Sequence, residues 1–342
     1  MQGKNRYFWQ SYKDEKLLDL RFCDLKLKIV NTPLQERIEQ LYDELKRRGI
    51  RFRPHCWLSE EWFSPDGIPG IAIPFYMASP RLAKLEYRQM FEVEGGNTRS
   101  CMQLLRHEAG HAINTAYGLH RRKRWKQLFG AFNKPYPTHY TPNPKSRNYV
   151  VHLDWWYAQS HPAEDFAETF SVWLRSRNKW QKEYKGWPAM KKLEYMDELM
   201  ASISKRPAHT RSRERVEPLS SNRKTLREHY ESKRAFYGIN LPEVYDSELK
   251  RLFRDQPDNN GKRRTASAFL QRHRRELSQL CARGIGEPPY IIAQVIHDMI
   301  IRCRELKLYV NLPEEEMKIE IAIFVSMQTL NYFNKVRHRV PV

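Results

Sequence analysis

The stretch His107-Glu108-Ala109-Gly110-His111 decides the reading of this chain. Its two histidines stand four apart, and on a helix positions four apart share a face. Both imidazoles can then hold one divalent ion, while Glu108, one step round, can reach a water on that ion. The pattern therefore names a chemistry, metal-assisted hydrolysis, and places it on a helix.

The flanking residues support that helix. Ser100 and Gln103 have capping-box spacing, and Asn97 and Thr98 are alternative caps. Met102, Leu105, Ala109, Ala112, Ile113 and Ala116 keep an apolar stripe at helical spacing. Gly118 reads as the C-terminal stop. Ala109 and Gly110 are small, so another element can pack closely where the metal would sit.

Catalytic zinc sites take three protein ligands and leave a fourth place for water. The downstream candidates are His120, His139, His152, His161, Glu164, Asp165 and Glu168. A metzincin spacing fails, because the positions three and six past His111 hold Asn114 and Tyr117. His120 lies beyond the Gly118 break. Glu164 is the better candidate, within Ser160-His161-Pro162-Ala163-Glu164-Asp165-Phe166-Ala167-Glu168-Thr169-Phe170. Ser160 or His161 can cap a helix there, and Pro162 suits its first turn. Phe166, Phe170, Trp173 and Leu174 form its apolar stripe. Glu164 and Glu168 share a different face, one turn apart. One carboxylate could bind metal while the other orients a ligand histidine through its free ring N–H. The positive end of the helix accounts for Asp165; it accounts less well for a pair on one face.

These residues resemble the gluzincin metallopeptidases, in which a glutamate on a second helix completes the ligand set. More closely, Trp57 through Trp173 is similar to a bacterial family described as putative zinc-binding metallopeptidases. The matching pieces are Trp57-Leu58-Ser59-Glu60-Glu61-Trp62-Phe63, Pro74-Phe75-Tyr76, the His107–His111 helix, and Tyr149 through Trp173. The resemblance implies a zincin-like α+β domain, a small sheet plus active-site helices, with zinc (Zn2+) as cofactor. It also implies His107, His111 and Glu164 as ligands, Glu108 as base, and Glu168 as the carboxylate behind a ligand. Lethal-factor-type gluzincin toxins place a tyrosine about seven residues before the ligand glutamate, facing the scissile carbonyl. Tyr157 stands at that offset, and its phenol could donate to a developing oxyanion. His152 could do the same job. Trp155, Trp156 and Tyr157 read equally well as an aromatic core cluster.

The expected reaction is hydrolysis of a peptide or isopeptide bond, with Glu108 moving the proton. Gly70 to Tyr76 reads as a short strand before the motif helix. In zincins an edge strand at this place usually pairs with extended substrate, and Pro74 suits an edge.

The 342 residues allow one large domain or two smaller ones. We expect a metallopeptidase domain over 1–238 and a helical domain over 239–342. Within the first, Pro33 to Gly49, Pro162 to Tyr184 and Met190 to Ser204 read as helix, and Ile50 to Trp57 as strand. Arg81 to Val93 mixes helix and strand signals, and Arg121 to Ser160 reads largely as loop. In the second, Thr265 to Arg283, Pro289 to Leu308 and Pro313 to Lys335 read as helices of a small bundle. Their expected apolar faces include Phe269, Leu277 and Leu280; Ile292, Val295, Met299 and Ile300; and Ile319, Ile323, Phe324, Met327 and Leu330.

No apolar leader follows Met1, and no stretch of about 18 apolar residues could span a bilayer. The five cysteines are scattered, with neither a paired motif nor a disulfide framework, which fits a reducing cytoplasm. The formal charge is +20 and uneven. His120–Asn148 holds eight basic and no acidic residues, and Gly261–Arg275 six and none. Lys205–Arg234 holds ten basic and four acidic residues; with Pro207 and Pro218 it reads as a mobile linker or lid. Such runs suit an anionic partner, nucleic acid or acidic polymer, although no zinc finger, RRM or KH signature accompanies them. Two other classes therefore stand beside the peptidase: a nucleic-acid-associated protease, and a non-catalytic zinc-containing binding protein. An intact Glu108 argues against the latter, since a purely structural site has no use for it.

Overall fold

The computed structural model describes residues 7–90, 93–137, 139–175, 179–237, 246–257, 264–286, 289–336 and 340–341. The chain forms two compact units. The first comprises Met1–Leu85, Val93–Leu226 and Arg339–Val342; the second comprises Glu86–Glu92 and Arg227–His338.

The fold is α+β and mostly helical. In chain order come α1 (Asp14–Leu18), α2 (Pro33–Arg47), β1 (His55–Ser59), β2 (Gly70–Pro74), α3 (Pro80–Met90), α4 (Thr98–Tyr117) and α5 (Lys123–Phe129). Then follow β3 (His139–Tyr140), α6 (Pro162–Arg175), α7 (Trp180–Glu183), α8 (Met190–Ile203) and α9 (Leu226–Tyr237). The second unit continues with α10 (Asp246–Leu252), α11 (Ala266–Ile285), α12 (Pro289–Glu305) and α13 (Glu314–Val336), and β4 (Val340–Pro341) returns to pair with β3.

β1 and β2 pair in parallel with Trp57 opposite Ala72. All of β2 is buried, as an unalternated Ile71-Ala72-Ile73 run demands. The expectation of a free edge for substrate is corrected here. Phe63 folds back against β2, its N–H donating to Ala72 O and accepting the return bond from Ala72 N–H at 2.8 Å through its own carbonyl. Ser64 Oγ adds a bond to Gly70 O. The chain thus caps its own edge.

The opposite side of β1 is covered by the basic stretch read above as a mobile lid. Between His209 and Leu219 it is instead a strap that is tied down, and from Leu226 it is helix α9. Leu219 N–H donates to Leu58 O, Trp57 Nε1 to Val216 O, and Ser59 Oγ to Glu217 O. Thr210 and His209 N–H both reach Ala116 O. Backbone pairing to β1 and α4 supplies the order that its composition conceals.

α4 and α6 form the centre of the first unit. α4 is capped by Asn97, whose side chain accepts from Ser100 N–H while Ser100 Oγ accepts from Asn97 N–H. The capping box therefore starts at Asn97, with Ser100 as its far member. Gly118 closes the helix in the left-handed conformation. α6 is buried from Ala163 through Leu174 on every side, with no solvent face. Among its polar groups, Asp165 pairs with Lys192 Nζ at 2.6 Å and Ser171 Oγ donates to Ala167 O. The two helices meet at Gly110, where an added Cβ would lie 2.8 Å from Ala167 Cα. Glycine is required there by close approach, not by backbone angle.

In the second unit, Phe269, Leu277, Ile292, Val295, Met299 and Ile300 join one core with Met317, Ile321, Phe324 and Val325 of α13. Leu280, Ile319, Ile323 and Met327, expected in that core, are exposed instead. α13 is apolar on two sides, and the bundle buries the other one. Among the described residues no helix is long and apolar enough to cross a membrane, and the five cysteines are unpaired.

Candidate metal centre

Helix geometry puts His107 and His111 on one face of α4, and the tight Gly110–Ala167 crossing brings the first turn of α6 against it. His107 Nε2 lies 2.9 Å from Glu164 Oε2, His111 Nε2 lies 3.1 Å from the same oxygen, and the two nitrogens are 3.1 Å apart. The three atoms form a nearly equilateral triangle that could hold a metal ion. Its edges fall a few tenths of an ångström short of the ~3.3 Å edge of a tetrahedron built from ~2.0–2.1 Å zinc bonds.

The tautomer follows from the second nitrogen of His107. Nδ1 lies 2.9 Å from Glu168 Oε1 and donates to it. Nε2 then presents its lone pair to a carboxylate oxygen and another imidazole nitrogen. Three electron-pair donors facing one another, with too few hydrogens to link them, are satisfied by a cation. Two imidazoles and one carboxylate suit zinc. Without a cation, protons must serve. Burial disfavours a charged His107, but Glu164 and Glu168 outweigh it and hold the imidazole well above its usual range. Burial likewise opposes ionised Glu164, yet His111 and His107 keep its carboxyl well below the usual carboxylate range.

Glu108 is buried on the same helix, and burial pushes its carboxyl up against the opposing pull of His107 and His111. Glu168, completely buried, uses Oε2 to accept Leu153 N–H at 2.9 Å. The backbone then turns through Trp155 (φ 63°) and Trp156 (φ 53°), both left-handed, and delivers Tyr157 beside the triangle with its ring centroid 5.7 Å from that of His107. Burial, with Glu164 adding to it, drives the Tyr157 phenol further toward its neutral form.

Residues 83–204 match the sequence model of a family described as "Putative zinc-binding metallo-peptidase". The matched segment runs from α3 to the end of α8 and contains the triangle, Glu108, Tyr157 and Glu168. The Trp57–Phe63 and Pro74–Tyr76 pieces lie outside it. No curated protein and no solved structure matches the chain.

The other candidates are used elsewhere. His152 is buried, its Nε2 donates to Gln103 O, and burial pushes it down to about 4, so it has no donor to offer an oxyanion. His161 caps α6: its Nδ1 accepts Ala163 N–H and its Nε2 donates to Lys134 O at 2.7 Å. Asp165 is committed to Lys192, and His120 stacks on Phe132. His139 lies on β3. Tyr136 is the residue that sequence reading missed. Its hydroxyl donates to Glu164 Oε1 at 2.7 Å from an irregular loop without periodicity.

Proposed function

We propose that the protein is a zinc-dependent peptidase that hydrolyses peptide or isopeptide bonds. The observation that carries this reading is the convergence of His107, His111 and Glu164 on one point with Glu108 on the same helix. The match of residues 83–204 to a zinc-binding metallopeptidase family supports it. In this reading His107, His111 and Glu164 are the ligands. Zinc bound there supplies a water whose pKa is lowered toward about 7 and a Lewis acid for the scissile carbonyl. Glu108 is the general base: it takes a proton from the attacking water and returns it to the leaving amine. Tyr157 donates its hydroxyl to the developing oxyanion. Glu168 orients His107 and fixes its tautomer.

A peptide-library digestion of the zinc-loaded protein beside Glu108→Gln tests this. Cleavage by the wild type, lost in Glu108→Gln at unchanged zinc content, is expected. Equal cleavage by both, or none by a wild type holding one zinc, would sink the reading. The partner of the basic runs is a separate matter. Arg124 pairs with Glu198 and Arg122 donates to Ser202, so part of that charge is already used within the fold.

A further inference from the structure

Glu164 has two carboxylate oxygens, and only Oε2 belongs to the ligand triangle. The other, Oε1, accepts the Tyr136 hydroxyl at 2.7 Å. A carboxylate whose second oxygen is free can swing or bind through both oxygens; one whose second oxygen is engaged is held with the first oxygen toward the site.

Tyr136 is itself held at several points. Its ring stacks on His161 at 3.8 Å between centroids and 18° between planes. The His161 ring is fixed through both nitrogens, by Ala163 N–H on one side and Lys134 O on the other. Lys134 lies two residues before Tyr136, so the loop grips the ring on which its own tyrosine stacks. Pro135 and Pro137 flank Tyr136 and restrict the backbone on both sides. The loop starts at Gly130 (φ 109°), where an added Cβ would lie 3.3 Å from Pro162 Cγ at the start of α6. The His161 and Pro162 contacts of this loop are at the turn of α6 that carries Glu164, while Phe132 is held separately by its stack on His120. Tyr136 is nevertheless about half exposed. Core packing does not explain its place, and the hydroxyl is its one polar contact into the site among the described residues.

We propose that Tyr136 is a positioning residue that restricts Glu164 to one-oxygen ligation through Oε2 and so keeps a coordination place open for water. This rests on the reading of His107, His111 and Glu164 as ligands. Tyr136 acts through Glu164 and need not touch substrate. Its removal changes how tightly and in what geometry the metal is held, before any turnover.

The test uses full-length protein stripped of metal and titrated with zinc against a chromophoric chelator, with cobalt(II) as a spectroscopic substitute. Tyr136→Phe keeps the ring and its stack and loses one oxygen. The expected result is a zinc dissociation constant raised roughly 10-fold or more, with a weaker, shifted cobalt absorption band marking higher coordination. The thermal midpoint of the metal-free protein stays unchanged. Tyr136→Leu removes ring and hydroxyl together. Similar losses in both variants assign the effect to the hydroxyl; a loss confined to Tyr136→Leu assigns it to the stack and overturns the proposal. Wild-type affinity and an unchanged cobalt spectrum in Tyr136→Phe overturn it as well. A wild type that binds neither ion overturns the ligand reading itself, an outcome distinct from the others.

Discussion

His107 Nδ1 lies 2.9 Å from Glu168 Oε1, and both side chains are buried. The same carboxylate accepts Leu153 N–H, so it braces the backbone before Tyr157 as well as the imidazole. Replacing Glu168 by Ala frees the ring to turn and leaves that N–H unpaired. We expect zinc affinity to fall ~10–100-fold and stability to fall by about 1–3 kcal/mol. Glu164→Ala should instead abolish stoichiometric zinc. Chelator competition and urea unfolding of the two variants separate the roles; equal metal loss in both would contradict the assignment.

Gly110→Ala would ordinarily stabilise a helix by up to ~1 kcal/mol. Here the new methyl meets Ala167 Cα at 2.8 Å, a backbone atom that cannot swing aside. The helices must separate, at a cost of about 1–3 kcal/mol, and the ligand triangle opens with them. A net loss of stability together with weaker zinc binding is the expected outcome. A more stable variant with normal zinc affinity would show that the crossing can give way without harm.

His152 sets part of the acid limit. Burial lowers its pKa from 6.5 to about 4, against the opposing charge of Glu168. Between these values the unfolded chain binds a proton and the folded chain does not. This share of stability is complete above about pH 6.5 and is lost as pH falls toward 4. The full loss is on the order of 3 kcal/mol. Urea unfolding of metal-free protein across that window should show the slope, and His152→Gln should flatten it. An unchanged slope in the variant would move its origin elsewhere.

Chelation should lower the thermal midpoint of the loaded protein. Free zinc at 100 times its dissociation constant stabilises the folded state by about 2.7 kcal/mol. His111→Ala should unfold at the same temperature with and without chelator. A persistent chelator effect in that variant would point to a second metal site.

Tyr157→Phe removes one donor beside the triangle without altering a proposed ligand. If the phenol meets the oxyanion, kcat falls about 10²–10³-fold while zinc content and KM stay close to wild type. A mere packing role for the ring would leave kcat unchanged.

How much of this was legible in the sequence depended on range. The α4 helix was readable because its stripe, its caps and its Gly118 stop are local. Asn97 and Ser100 both read as caps, and the observed box joins the two. Glu164 and Glu168 were readable as a pair on one face. That α6 has no solvent face was not, since Asp165 is neutralised by Lys192 on another helix. Nor could the residues of α13 show which of two apolar sides would be buried. Tyr136 has no periodic neighbours, and its bond to Glu164 exists only because the loop folds onto the His161 cap.

Trp155 and Trp156 are both left-handed, a conformation that costs non-glycine residues about 1–3 kcal/mol each. From this one sprung turn hang the Tyr157 ring on one side and, through Leu153, the brace behind His107 on the other. Surrounding contacts keep the turn wound, and when heat loosens them the strain gives this backbone a reason to let go. Grip on the metal and the poise of the phenol would then fail together while α4 and α6 still stand. Thermal inactivation would set in below the melting temperature, and cooling before the helices part would restore it.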